Sequence, residues 1–177
     1  MIVNHYGIHF AVAVALAAVS AGAQAAAGYT IVDIGAFSRN PNGTTQVTDV
    51  NNHGQVVGTS YDNIGNAAFV YSGGAMLNLR ASLAPFGAAL GSSLSTTHSV
   101  AQGINDDGVV VGYAQFADPT IAFRWQGGTV TDLGSHNGFA WAPTAVNAGG
   151  DIVASRIYNG LYRSGSGWTV LPSSPSF

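Results

Sequence analysis

One stretch of this sequence occurs three times, and that repetition limits the possible folds more than any other feature. Residues 104–133 align without a gap with residues 50–79 after a shift of 54 positions (104 against 50). A third copy, with a shorter middle loop, covers residues 146–171. Internal copies at a fixed period indicate a repeat protein, in which each copy forms one structural unit and packs on its neighbours.

Each copy carries the signals of four short strands joined by turns. In the second copy, Asp106-Asp107-Gly108 separates two apolar runs, a pattern typical of a β-hairpin. The valines at 109–111 are β-branched and favour a strand over a helix. Turn residues at 118–119 and 126–128 bound a third strand at 121–125 and a fourth at 129–133. Four antiparallel strands in a repeat of roughly 40–50 residues have the dimensions of a β-propeller blade.

The sequence therefore predicts an all-β fold of repeated four-stranded antiparallel sheets in a partial β-propeller-like arrangement, with a β-sandwich as the alternative. The repeats are expected at about residues 43–79, 98–134 and 144–171 of one β-repeat domain, residues 28–177, with an insert at 80–97. Closed propellers have about four to eight blades. Three copies fall short of that range, so either the sheets close by self-association or the chain is a shortened member of a longer family.

Aromatic residues and glycines recur at equivalent places in the copies. Phe123 and Trp125 alternate with Ala122 in the third strand, which predicts that both rings lie on one face and pack between sheets. Glycines at the hairpin turns are expected to have left-handed φ, and glycines in the second strands to allow a bulge or a close backbone approach. These are Gly54, Gly108 and Gly150 at the turns, and Gly58 and Gly112 in the strands.

Composition argues against several classes of function. The 177 residues include no cysteine, lysine or glutamate, so disulfides, thiolate metal sites and cysteine nucleophiles are excluded. Charged residues make up 7% of the chain and the net charge is −3, which offers no electrostatic footprint for nucleic acid. The 24 glycines together with abundant valine, threonine, serine and asparagine favour strands and turns, while the missing lysine and glutamate are good helix formers.

The N-terminal segment resembles an export signal. Residues 10–19 are apolar throughout, and Ala23-Gln24-Ala25 follows as a small-x-small cleavage site. We therefore predict a signal peptide at residues 1–25, cut after Ala25 or alternatively after Ala27, and a protein exported to the periplasm, the medium or the cell surface. The rival interpretation is an uncleaved anchor over residues 8–27, which would be the chain's only membrane contact.

Two further segments lie outside the three copies. Residues 30–35 resemble residues 129–134, the fourth strand of the second copy, and are expected to form a lone strand. Residues 80–97 form an irregular insert, and insertions in repeat proteins often map to the binding face. The alternative for this insert is a flexible or short helical excursion with no role in binding.

Candidate catalytic and metal-binding residues are few. His53, His98 and His136 remain after export, and no two of them have metal-ligand spacing. Residues 49–54 begin like a calcium loop, but Ser60 stands where such a loop needs a bidentate glutamate, so a hairpin turn is favoured. We expect no catalytic residues, no metal and no cofactor.

Residues 104–112 (INDDGVVVG), 122–128 (AFRWQGG) and 131–134 (TDLG) resemble the extracellular repeats of the bacterial HAF family. That family is named for a His-Ala-Phe triplet opening the third strand, where this chain has Ala67-Ala68-Phe69 and Ile121-Ala122-Phe123. The third copy, aligned with Leu161-Tyr162-Arg163 at the triplet, also has Ala154 where a glycine is usual. The resemblance covers roughly residues 47–171 and implies an exported repeat protein, with no catalytic residues carried over.

These observations favour a secreted, non-catalytic interaction or surface-scaffold module that binds a protein or glycan partner and can self-associate. The alternative is a carbohydrate-binding module, in which an exposed tryptophan stacks on sugar. Trp141 is the candidate stacking residue because it lies outside the repeated strands, with Trp125 and Trp168 as further tryptophans. A hydrolase, the third hypothesis, would require an aspartate and a histidine to converge in one cleft.

Overall fold

The computed structural model describes residues 30–38, 43–89, 98–116, 120–136, 139–155, 159–163 and 166–172. The chain divides into two compact units, Met1–Ile34 and Gly35–Phe177, and every described strand and helix lies in the second. The predicted signal peptide, residues 1–25, lies outside the described residues. Within the described ranges, no helix is long and apolar enough to cross a membrane.

Three four-stranded antiparallel sheets follow one another along the second unit. Sheet 1 consists of β1 Thr45–Val50, β2 Val56–Tyr61, β3 Asn66–Ser72 and β4 Ala75–Asn78. After the helix α1, Arg80–Ala89, sheet 2 consists of β5 His98–Ile104, β6 Val110–Gln115, β7 Thr120–Gln126 and β8 Thr129–Asp132. A short pair, β9 Ser135–His136 and β10 Phe139–Ala140, precedes sheet 3, which consists of β11 Ala142–Val146, β12 Ile152–Ser155, β13 Asn159–Arg163 and β14 Gly167–Val170.

The prediction of an all-β fold built from repeated four-stranded antiparallel sheets is confirmed. Within each sheet the strands pair in sequence order. The first strand of each later sheet lies against the sheet before it, because β5 contacts β1, β2 and β3, and β11 contacts β5, β6 and β7. The three sheets therefore pack in series, as neighbouring blades do in part of a β-propeller.

The strand registers give the three sheets a common frame. A bulge interrupts the first strand at the same place in each sheet: between Val47 and Asp49, between Ala101 and Gly103, and between Pro143 and Ala145. Counting from these bulges makes three sets of residues equivalent: Val50, Ile104 and Val146; Asn51, Asn105 and Asn147; Val57, Val111 and Val153. Equivalent residues can therefore be compared directly between sheets.

Two hydrophobic clusters form the core, one at each junction between sheets. At the first junction, Ala68 and Val70 of sheet 1 pack with Phe123 and Trp125 of sheet 2. At the second, Ala122 on the opposite face of β7 packs with residues of sheet 3. The predicted alternation of faces in this strand is thus confirmed, and its large rings fill the space between sheets 1 and 2.

The glycine predictions are also confirmed. Gly54, Gly108 and Gly150 have φ of 71°, 71° and 82°, values that an L-residue with a side chain rarely adopts. At Gly112 a Cβ would lie 2.0 Å from the Val100 carbonyl oxygen, and the register slip is in the opposite strand, β5. At Gly58 a Cβ would lie 2.0 Å from the Gln46 carbonyl oxygen. Both positions need glycine because the backbones approach closely.

The alignment of the third copy needs correction. The sequence motif predicts Leu161-Tyr162-Arg163 at the start of the third strand, but the register pairs Gly160 with Ala154, as Phe123 pairs with Gly112. In sheets 1 and 2 the glycine of this pair lies in the second strand and a phenylalanine lies opposite it in the third. In sheet 3 the glycine, Gly160, lies in the third strand and Ala154 lies opposite it in the second. The ring of Trp141 fills the space above Gly160, where a Cβ would lie 2.6 Å from it. A ring from outside the strand thus replaces the phenylalanine of the earlier copies.

Two predictions concern segments outside the three sheets, residues 80–97 and residues 30–35. The insert begins as the helix α1, which buries Leu83 in the first cluster and packs Phe86 against it. Residues 90–97 lie outside the described residues. The lone strand expected at residues 30–35 is wrong, since these residues form no strand. Gly35 keeps the φ of its counterpart Gly134, 78° against 77°, so the likeness is confined to the local backbone geometry.

Candidate functional site

Asp62 and Arg80 form a buried ion pair beside sheet 1. Arg80 Nε donates to Asp62 Oδ2 at 2.6 Å, and Arg80 Nη2 donates to Asp62 Oδ1 at 2.9 Å. This bidentate ion pair fixes the start of α1. Burial raises the pKa of Asp62, but the hydrogen bonds from Arg80, Asn78 and the backbone of Gly65 and Ile64 outweigh it and lower the pKa to about 2. The pair ties the helix to the loop between β2 and β3.

This pair predicts a pH dependence of stability. The folded pKa of Asp62 lies below its ordinary value of 3.8, so the stabilisation is complete above about pH 4 and is lost as the pH falls through about 2. The free energy of unfolding should fall by about 2 kcal/mol between pH 5 and pH 2 from this group. Urea denaturation at each pH measures it, with the double variant Asp62→Asn, Arg80→Met as control. An equal fall in that variant would contradict the assignment.

The two described histidine side chains, His53 and His98, lie in different sheets. His53 lies exposed in the β1–β2 turn, and His98 opens β5 with its ring centroid 6.3 Å from that of Tyr113. The side chain of His136 lies outside the described set. Asp106 accepts hydrogen bonds from the side chain and backbone of Asn52, which lower its pKa, and the nearby charge of His53 adds to that effect.

The turn at residues 49–54 uses its oxygen atoms for backbone hydrogen bonds. Asp49 Oδ2 accepts from the Ile104 N–H at 2.9 Å, and Asn51 Oδ1 accepts from the Gln55 N–H at 3.0 Å. The favoured hairpin interpretation therefore accounts for Asn51, whereas Asp49 holds the end of β5 in sheet 2. Among the described residues there is no group of three or more metal-ligating side chains.

Trp141 does not have the exposed ring face that sugar stacking requires. Its side chain is 3% exposed and its ring is stacked on Trp168, with 4.6 Å between centroids and 25° between planes. Trp125 is buried as well, and Trp168 Nε1 donates to the Leu133 carbonyl oxygen at 2.5 Å. In this structure Trp141 packs between sheets 2 and 3, and its stacking on sugar stays a prediction that the buried ring does not support.

An open pocket lies beside Trp141. It has a volume of about 260 Å³ and is lined by Tyr113, Gln115, Thr120, Trp141 and Ala142. Ligand pockets usually measure roughly 300–1,000 Å³ and enclose most of the ligand. The pocket is thus below the usual size of a ligand site.

Polar side chains link each sheet to the next, and asparagine provides the repeated link. Asn51 Nδ2 donates to the Asn105 carbonyl oxygen at 2.9 Å, and Asn105 Nδ2 donates to the Asn147 carbonyl oxygen at 2.9 Å. Each of these asparagines also accepts, at Oδ1, the N–H of the residue four positions later. One residue type thus closes the hairpin turn and joins it to the neighbouring sheet.

A second set of links joins three strands of sheet 1 to β5, the first strand of sheet 2. Thr48 Oγ1 donates to the Ala101 carbonyl oxygen at 2.6 Å, and Thr59 Oγ1 donates to the Ser99 carbonyl oxygen at 3.0 Å. Ser99 in turn accepts the Ala68 N–H at Oγ at 2.9 Å. These bonds fix the position of β5 on sheet 1.

The sheets at the two ends of the series expose positions that are buried elsewhere. Val57 and Val111 are fully buried beneath the following sheet, but the equivalent Val153 in sheet 3 is 41% exposed. We call the surface formed by Thr144, Val153 and Leu161 the trailing face. Sequence reasoning missed it, because valine at all three equivalent positions gives no sign of which one is uncovered.

Comparison of the chain with protein families, curated proteins and solved structures gives no match. The resemblance to HAF repeats therefore stays a prediction, supported by the sequence motifs.

Proposed function

We propose that the protein is an exported, non-catalytic interaction module that binds a β-sheet partner through the end of its sheet series. The exposure of Val153 carries this proposal, since the same position is covered by a sheet at both earlier places. The trailing face is apolar at Val153 and Leu161 and bears the Thr144 hydroxyl at its edge. Export is supported by the apolar segment at residues 10–19 and the cleavage site after Ala25.

The carboxylates support a structural role for the polar residues. Asp62 holds α1, Asp49 accepts a backbone N–H from sheet 2, and Asp106 accepts from the turn of sheet 1. These groups are used to join segments of the chain. A module that presents a surface uses its polar groups in this way, whereas hydrolysis requires an acid and a base aimed at one reacting atom.

The proposal predicts that an added sheet will protect the trailing face. The chain has no cysteine, so Val153→Cys places a single thiol on that face. Extending this variant beyond Leu171 with a second copy of residues 98–134 should slow maleimide labelling at least about tenfold, equivalent to about 1.4 kcal/mol of docking. The rates are measured by mass spectrometry at nanomolar concentration, where separate chains do not meet.

Two further thiols provide the controls. Val170→Cys lies on the other face of sheet 3, paired with Gly160, and is 40% exposed, so its labelling should be equally fast with and without the extension. Val111→Cys is buried and should react slowly in both chains. Unchanged labelling of Cys at position 153 in a folded, extended chain would rule out the trailing face as a sheet-binding surface.

A further inference from the structure

Both halves of one inter-sheet interface are exposed in the same chain. Val47 and Val50 of β1 are 56% and 59% exposed, whereas their equivalents in sheet 2, Ala101 and Ile104, are buried against sheet 1. We call β1 with these two valines the leading strand. At the other end of the series, the trailing face carries Val153. Its equivalents, Val57 and Val111, are each covered by the following sheet. The chain thus carries an uncovered strand and an uncovered face of the types that pack together twice inside it.

The hydrogen-bonding groups at the two ends are complementary as well. Asn51 and Asn105 each donate from Nδ2 to the asparagine carbonyl of the following sheet at 2.9 Å. Asn147 is the third member, and its Nδ2 turns to Asp151 Oδ2 in its own hairpin at 3.5 Å. Asn51 is the first member, and its carbonyl is in the position that accepts such a bond in sheets 2 and 3. The link from Asn147 to Asn51 would continue the pattern.

The segment that precedes each sheet leaves room for a further sheet to pack on the leading strand. Leu83 of α1, which leads into sheet 2, packs within the first junction, and Trp141, which leads into sheet 3, packs within the second. Phe37, which leads into sheet 1, packs edge-on against Phe69 with 6.3 Å between ring centroids. Sheet 1 therefore already has the aromatic contact that accompanies its incoming segment.

We propose that the partner of the trailing face is the leading strand of a second copy of this chain, and that two copies dock on each other reciprocally. This inference rests on the proposed interaction function and names its partner. A head-to-tail contact forms either an open filament or a closed ring. Two copies carry twice the three four-stranded sheets that the described residues form, within the about four to eight blades of closed propellers, whereas three copies would exceed that range. The expected assembly is a closed dimer.

Engineered disulfides test the contact directly, because the chain has no cysteine of its own. Within one chain, Thr48 Oγ1 lies 2.6 Å from the Ala101 carbonyl oxygen. By equivalence, Thr144 of one copy should face Val47 of the other. The full chain carrying Val47→Cys and Thr144→Cys is expected to form a covalent dimer under mild oxidation, seen on a non-reducing gel. Sedimentation equilibrium of the unmodified chain should give a mass double that of the monomer.

The controls separate this inference from the proposed function. The chain with Thr48→Cys and Ala101→Cys should form an internal disulfide, which shows that the geometry permits one, and neither Val47→Cys nor Thr144→Cys alone should cross-link. Val153→Arg should weaken dimerisation about 100-fold by burying an unpaired charge. A monomer, or a ladder of larger covalent species, would overturn the closed dimer. If the chain is a monomer but an appended repeat protects position 153, the partner is a further repeat rather than a second copy.

Discussion

Replacing Gly112 with alanine is expected to lower the free energy of unfolding by about 3 kcal/mol or more. The new Cβ would lie 2.0 Å from the Val100 carbonyl oxygen and 3.0 Å from the Phe123 ring. The first of these is a backbone atom of the paired strand, so a rotamer change cannot relieve the overlap. Either β5 and β6 separate, or Phe123 leaves the first core cluster. Guanidinium denaturation followed by tryptophan fluorescence measures the loss.

Gly149→Ala is the matched control for this substitution. Its Cβ would have Asn147 Oδ1 as its nearest neighbour, at an ordinary contact distance of 3.4 Å, so the change should stay within about 0.5 kcal/mol. Gly58→Ala should behave like Gly112→Ala, because its Cβ would lie 2.0 Å from the Gln46 carbonyl oxygen. Similar stabilities for Gly112→Ala and Gly149→Ala would mean that the strands can move apart at little cost.

The requirement for glycine is the part of the fold that sequence shows most directly. A positive φ or a close backbone approach excludes nearly every other residue. A glycine at positions 108 and 112 therefore predicts the backbone geometry found there. The alternating faces of β7 were equally readable, since Phe123 and Trp125 are separated by one residue in a strand of period two. Such features depend on steric requirements within a few residues, and they recur in each copy.

Contacts between distant segments could not be predicted in the same way. In the third copy Gly160, not a phenylalanine, lies opposite Ala154. The ring that fills the space comes from Trp141, which directly precedes the first strand of the sheet. Because Trp141 lies outside the repeated strands, its position suggested an exposed ligand-stacking residue, whereas its ring is buried. The replacement of one packing residue by another from outside the strands leaves no mark in the spacing of the motif.

The lone strand at residues 30–35 failed for a related reason. Its sequence resembles the fourth strand of the second copy, and Gly35 adopts the φ of Gly134. A strand is defined by its pairing, however, and β8 is formed because β7 lies beside it. The exposure of the trailing face likewise depends on which other sheets lie beside it. Val57 and Val153 are the same residue type at one equivalent position, and their exposure differs only because a further sheet covers the first.

Asn105→Ala is expected to lower the free energy of unfolding by about 3 kcal/mol, the second of the two largest effects. The side chain is buried between sheets 2 and 3 and makes bonds on both sides. Its Oδ1 accepts the buried Val109 N–H at 2.9 Å, and its Nδ2 donates to the Asn147 carbonyl oxygen at 2.9 Å. Alanine leaves the Val109 N–H without its partner in a place water does not reach, which costs about 1–3 kcal/mol alone. Denaturant titration gives the value.

Asn147→Ala provides the comparison, because it occupies the equivalent position at the end of the series. Asn147 is exposed and its Oδ1 accepts the Asp151 N–H at 2.8 Å, a bond that water can replace, so in dilute solution the loss should stay below about 1 kcal/mol. In the proposed dimer, however, Asn147 would donate to Asn51 of the second copy and acquire the surroundings that Asn105 has within one chain. The cost of Asn147→Ala should therefore rise with protein concentration, while that of Asn105→Ala stays large throughout. Equal losses for the two variants in dilute solution would show that a covering sheet is not what makes the buried asparagine important.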